Sequence, residues 1–145
     1  TRIAGIATAG IAHGALAADK LNMPYCYVRP EPKKHGLKNQ VEGEMNPGDK
    51  IVLVEDLIST GKSSFQAVEG VQNAGAEVIG IVALFTYGFA NASEKFVNAG
   101  IPVYTLTNLP TLTKVAAEEG FIQDSELATV NRFADNPSAW GESLK

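Results

Sequence analysis

The stretch "IVLVEDLISTGKSS", residues 51–64, decides how the rest of the chain is read. It opens as a continuous apolar run, the pattern of a strand covered on both faces of a parallel sheet. It closes on Gly61-Lys62-Ser63, the tail of the phosphate-binding pattern G-x-x-x-x-G-K-[ST]. Where that pattern places its first glycine, this sequence has Asp56, with Glu55 beside it. A nucleotide P-loop needs the glycine so that its backbone can wrap around di- and triphosphate oxygens. Two carboxylates at the mouth of the loop oppose such a ligand, which tells against a P-loop NTPase.

The segment from Ser59 to Ser63 is a turn of small residues leading into a helix. It offers backbone N–H groups, the hydroxyls of Ser59, Thr60 and Ser63, and the positive end of a helix dipole, a set that suits one phosphate monoester. Carboxylates about one turn upstream suit the hydroxyl groups of a sugar. A ribose 5-phosphate has both features at that separation. A magnesium ion is a further partner such acids accept, directly or through water. The structural alternative makes Glu55 an edge charge and Asp56 a helix N-cap.

Outward from this stretch, apolar β-rich runs alternate with helical patterns, which predicts βαβ units and a mainly parallel sheet. Strands are expected at 3–7, 25–28, 51–54, 77–85 and 101–106. Helices are expected at 10–22, at about 62–74 with Gly75 as C-cap, over "ASEKFVNAG", and in the tail from about 110. In an open parallel sheet, ligands bind beyond the carboxyl ends of the strands, which is where the reading of 51–54 puts Glu55 and Asp56. The first loop, "IATAGIAHG", follows a strand with small residues that let a backbone approach a ligand, and Gly10 precedes a helix N-terminus. His13 is given no role.

Between the second strand and "IVLV" lies an irregular polar segment. Its first part, Arg29 to Gln40, carries four Lys or Arg residues against one acid, in a chain of net charge −4. About twenty structureless residues inside a compact domain point to function or disorder. A mobile basic loop there would close over a site and bring Arg29, Lys33, Lys34 and His35 to the charge that develops on a departing diphosphate. His35 and Lys33 are the proton donors within reach of such a leaving group.

Composition sets the outer bounds. The 145 residues fit one domain, 1–145, and 45% hydrophobic residues with 14 glycines is ordinary for an α/β protein. The acidic balance argues against a general nucleic-acid partner. No apolar stretch approaches the ~20 residues of a membrane span. One cysteine, Cys26, excludes an internal disulfide and fits a reducing, cytoplasmic setting, as a buried thiol. The chain opens directly on a strand without an initiator methionine, so a preceding segment is expected.

On these residues the chain resembles the type I phosphoribosyltransferases, and most closely their orotate-specific members. "VLVEDLISTGKS" is similar to the PRPP-binding signature that purine, pyrimidine and regulatory members share. "YVRPEPKKHG" is similar to the basic loop of the orotate enzymes, and "IATAGIAHG" to the diphosphate loop. "NRFADNPSAWG" is similar to their C-terminal helix and tail. The resemblance implies a Rossmann-like α/β fold with a mainly parallel central sheet flanked by helices. It implies transfer of the phosphoribosyl group from PRPP to orotate, with magnesium carried on PRPP itself and no direct protein ligand assigned.

By the same resemblance Glu55 and Asp56 hold the ribose hydroxyls and favour a cationic transition state. Leu57, Ile58, Ser59, Thr60, Gly61, Lys62 and Ser63 bind PRPP, with Ser59 also near orotate. Ala7, Thr8, Ala9 and Gly10 form the diphosphate loop. Arg29, Lys33, Lys34 and His35 lie on a flexible loop, 29–46, that serves the neighbouring subunit of a homodimer. The N-terminal segment that covers the base site in the family is expected to be missing.

Three departures from the pattern bear on the base contacts. Pro30 stands where some members have a second lysine, "ATAG" has no lysine, and "LFTYG", 84–88, offers Thr86 and Tyr87 where an arginine binds the orotate carboxylate. The rivals on the same fold are a purine or xanthine phosphoribosyltransferase, which shares the acids and turn, and a PRPP-sensing regulator.

Overall fold

The structure is a computed structural model and describes residues 1–31 and 40–140. Its elements are β1 (Arg2–Ile6), α1 (Gly10–Leu21), β2 (Tyr25–Val28), β3 (Val41–Glu42), β4 (Lys50–Ile58), α2 (Lys62–Asn73), β5 (Glu77–Thr86), α3 (Ala90–Asn98), β6 (Val103–Asn108), α4 (Leu109–Glu118), α5 (Asp124–Asp135) and α6 (Pro137–Trp140). They build one six-stranded sheet in the order β3-β2-β1-β4-β5-β6. Every pairing is parallel except β2 with β3. This is the expected α/β architecture, and in it the chain leaves β1 for β2 on one side and returns to β4 on the other. The order therefore reverses between β1 and β4, and a crevice opens at the carboxyl ends of those two strands.

Two cores lie on the two faces of the sheet. Side chains alternate along a strand, so Ile51 and Leu53 of β4 face one way, with Ala67, Val68 and Val71 of α2, Ile81 of β5 and Phe96 of α3. Val54 faces the other way with Ile3 and Ala18 of α1. Ile51, Leu53 and Ile81 are fully buried, and each contributes about 1.5–3 kcal/mol relative to an exposed side chain. Cys26 is 1% exposed, and burial pushes its thiol up to about 11, as expected of an inert sulfur.

Two expectations are corrected. The strand read as 51–54 runs on to Ile58, because β5 continues beside it and pairs Glu55 with Ala83, Leu57 with Phe85 and Ile58 with Thr86. The segment after β2 is also not irregular throughout: Val41–Glu42 forms an antiparallel edge on Tyr27–Val28. The last helices are held by local chemistry. Asn108 caps α4 by accepting from the Thr111 N–H at 2.9 Å, and Gln123 with Glu126 forms a capping box at the start of α5.

Candidate functional site

β4 outruns β1. Their pairing ends at Gly5 with Val54, so Glu55 and Asp56 lie just past the point where β1 turns away. The loop that leaves β1 folds back over this point. A Cβ on Gly10 would fall 2.4 Å from the Val54 carbonyl oxygen and 3.3 Å from the Glu55 Cα, so only glycine admits this approach. Ala7 donates its N–H to Val28 at 2.8 Å, Ile11 to Thr8 at 3.2 Å, and the Ala7–Thr8 peptide is cis. Thr8 and Ala9 are exposed beside the acid pair's end of β4. The loop after β1 and the residues 55–63 thus share one crevice, at the switch in strand order.

The turn Ser59–Gly61 carries the chain from β4 into α2. Gly61 sits at φ 74°, and a Cβ there would meet the Phe96 ring at 3.2 Å. No side chain caps α2, and its first turn holds no acid. The leading N–H groups of a twelve-residue helix therefore face the crevice without a protein acceptor from a cap. Ser59 is half-buried, while Thr60, Lys62 and Ser63 are exposed around this N-terminus. Ile58 is turned into the core at 3% exposure, and its carbonyl accepts from the Tyr87 N–H at 3.0 Å and the Thr86 hydroxyl at 3.2 Å. Leu57 is exposed.

The two acids have different surroundings. Glu55 is 4% exposed. Its Oε2 accepts from the Ser63 hydroxyl at 3.1 Å and the Ser64 hydroxyl at 3.4 Å, and its Oε1 from the Asp56 N–H at 3.3 Å. Burial, followed by a hydrogen bond with the Asp56 carboxyl, pushes its pKa up to about 7; the Ser63 hydroxyl pulls the other way. Asp56 is half-buried. The structural alternative for the pair does not hold: Asp56 lies inside β4, α2 takes Gly61 as its N-cap, and Glu55 is no edge charge.

Arg29 follows β2 on the same edge of the sheet, and its Nη1 pairs with Glu42 Oε1 at 3.5 Å. The other cations named from the sequence, Lys33, Lys34 and His35, lie outside the described residues. His13 is exposed on α1. Ser64 was not among the residues picked from the sequence, yet it is fully buried against Glu55. The alternation of β4 was the available signal, because Glu55 shares the face of Ile51 and Leu53 and must meet α2. A cavity of about 310 Å³ lies on the α3 side, lined by uncharged residues such as Phe96, Val97 and Val103. With no charged lining it does not suit a phosphate, and the crevice at β1 and β4 is the better site. Among the described residues no three of His, Cys, Asp or Glu gather as a metal cage, and no helix is long and apolar enough to cross a membrane.

Comparison with known proteins agrees with this geometry. The chain is 53% identical over 138 residues to an orotate phosphoribosyltransferase of Bacteroides thetaiotaomicron, covering 95% of this chain and 65% of that protein. It is 52% identical over 137 residues to one from Bacillus subtilis, covering 94% and 63%. The chain thus spans somewhat less than two thirds of the length of these relatives. Among solved structures, orotate phosphoribosyltransferase from Aeropyrum pernix superposes with a TM-score of 0.71 at 31% identity, over 84% of this chain and 66% of that one. Residues 1–117 match the model of the phosphoribosyl transferase domain. With the sheet order, the acid pair and the uncapped turn in place, the chain belongs to the phosphoribosyl transferase domain family.

Proposed function

We propose that the chain is the PRPP-binding core of an orotate phosphoribosyltransferase, which transfers the 5-phosphoribosyl group of PRPP to orotate and yields orotidine 5′-monophosphate and diphosphate. The observation that carries this is the crevice where the Ala7–Gly10 loop, the Glu55-Asp56 pair and the uncapped start of α2 converge. The choice of orotate is supported by relatives of that name at about half identity.

In this reading the N–H groups and hydroxyls of Ser59 to Ser63 hold the 5-phosphate. The acids hold the ribose hydroxyls, and the charge of Asp56 favours the cation that develops at C1 as diphosphate leaves. Thr8, Ala9 and Gly10 bring backbone to the diphosphate. Arg29 exchanges Glu42 for it, joined by Lys33, Lys34 and His35, and Lys33 or His35 supplies a proton to the leaving group. Ser59 faces orotate. The substrate is the magnesium salt of PRPP, the ion neutralising diphosphate charge. A homodimer that shares the basic loop, and a cytoplasmic location suited to the unpaired thiol of Cys26, complete the reading.

The test is orotidine 5′-monophosphate formation by the full chain from orotate and Mg-PRPP, with adenine, hypoxanthine and xanthine offered in parallel. Asp56→Asn is expected to lower turnover about 100-fold or more, and chelation of magnesium to abolish it. Turnover of a purine in place of orotate sinks the base assignment. Tighter binding of Mg-ATP than of Mg-PRPP sinks the sugar-phosphate reading itself.

A further inference from the structure

Ser63 has one hydroxyl proton, and Glu55 holds it. The Ser63 Oγ lies 3.1 Å from Glu55 Oε2, and the buried Ser64 hydroxyl joins the same oxygen at 3.4 Å. Ser63 also stands exposed in the first turn of α2, where the phosphate-turn reading needs its hydroxyl as a donor. A phosphate dianion accepts hydrogen bonds and donates none, and so does a carboxylate. Both cannot take the same proton from Ser63, and two anions on either side of one hydroxyl repel each other.

We propose that Glu55 is a positioning residue that takes up one proton from solvent when a phosphate monoester enters the Ser59–Ser63 turn. The new O–H bond on Glu55 then donates to Ser63 Oγ, and the proton of Ser63 turns to a phosphate oxygen. Nothing leaves the site, and the net change is the gain of one proton. Ser64 goes on donating to the Glu55 carboxyl and keeps it beneath the turn.

The surroundings leave Glu55 as the natural place for that proton. Asp56, its strand neighbour, is the one other titratable group in contact with it among the described residues. From α2 it meets the hydroxyls of Ser63 and Ser64, with Lys62 exposed at the helix start and Glu69 exposed farther along. From β5 it meets Ala83, and from the start of α1 it meets Gly10, with His13 exposed beyond. At 4% exposure its charge has little water to rely on. Its pKa of about 7 makes the uptake small in free energy near neutral pH.

This inference rests on the sugar-phosphate reading, and one titration separates the two. The full chain is titrated with ribose 5-phosphate at pH 8, in buffers of different ionisation enthalpy. At that pH the ligand, with its second pKa at about 6, is a dianion, and free Glu55 is ionised. The wild type is expected to take up close to one proton per ligand. Its affinity should fall by up to about tenfold per pH step above 7. Glu55→Gln, whose amide donates to Ser63 as the protonated acid would, should lose both the uptake and that pH slope. Ser63→Ala, which keeps Glu55 and removes the relay, should bind less tightly with much reduced uptake.

Heats in the wild type that do not depend on buffer overturn the inference and leave the sugar-phosphate reading standing. Uptake that persists in Glu55→Gln, or in full in Ser63→Ala, overturns it as well, by placing the proton elsewhere or removing the relay. Absence of any ribose 5-phosphate binding overturns both readings together.

Discussion

Gly10 rests directly on Val54: a methyl group at position 10 would come within 2.4 Å of the Val54 carbonyl oxygen. That contact joins the loop after β1 to the strand that carries the acid pair. Gly10→Ala must push the loop away from β4 or shift the start of α1. Forced overpacking of this kind destabilises by about 1–3 kcal/mol. Urea denaturation should record the loss, and Mg-PRPP should bind less tightly than to the wild type. Unchanged stability and binding would mean the loop adjusts freely and the close approach has no role.

Gly61 tests the proposed phosphate turn from the other side. Its φ of 74° lies where a side chain is strained, and Phe96 occupies the space a Cβ needs. Gly61→Ala is expected to lose about 1–2 kcal/mol of stability through the backbone. Ribose 5-phosphate affinity should fall further than in Gly→Ala changes elsewhere, such as at Gly88 or Gly100, because the turn feeds the first N–H groups of α2. Calorimetric titration with ribose 5-phosphate checks it, and an affinity equal to wild type refutes it.

Glu55 should leave a mark on stability as well as on binding. Its folded pKa of about 7 lies above the 4.5 of a free glutamate, so between those values the folded state binds the proton that the unfolded state has released. Stability therefore falls as pH rises from 4.5 to about 7 and levels off above, by a total on the order of 3 kcal/mol. Glu55→Gln removes this slope and should be the more stable protein, relative to wild type, at pH 8 than at pH 5. Parallel denaturation curves for the two proteins at both pH values would contradict it.

The C-terminal helices are tied down by rings. Phe133 of α5 meets Tyr87 and Phe89 edge-on, with centroids at 5.7 and 5.9 Å, and Trp140 of α6 meets Phe133 at 5.8 Å. Phe133→Ala should release α6 and shift the emission of the single tryptophan to the red. Phe133 is half-buried, so the truncation should lose about 0.5–3 kcal/mol. An unshifted spectrum would mean that other contacts hold Trp140.

Much of this protein was legible in its residues because the relevant signals are local. The apolar run at 51–54, the glycines at 61, 75 and 100, and the alternation of strand and helix patterns each act within a few residues. The acid pair and the small-residue turn were legible as neighbours at the end of one strand because they lie within a few residues of each other. The strand end was misread at Val54 because two charges normally stop an apolar run, while pairing to β5 carries β4 on to Ile58. β3 was missed because two residues have no period to read, and its existence depends on the exposed edge of β2.

By itself the sequence determined the fold class and the place of the small-residue turn that leads into α2, since backbone preference belongs to individual residues. Only the tertiary structure decided that Glu55 is buried under Ser63 and Ser64 while Asp56, the next residue, is half-exposed, and that Gly10 seals the loop of β1 onto β4. Those facts depend on which face of β4 meets α2 and on how far β1 reaches. Packing between distant segments sets both.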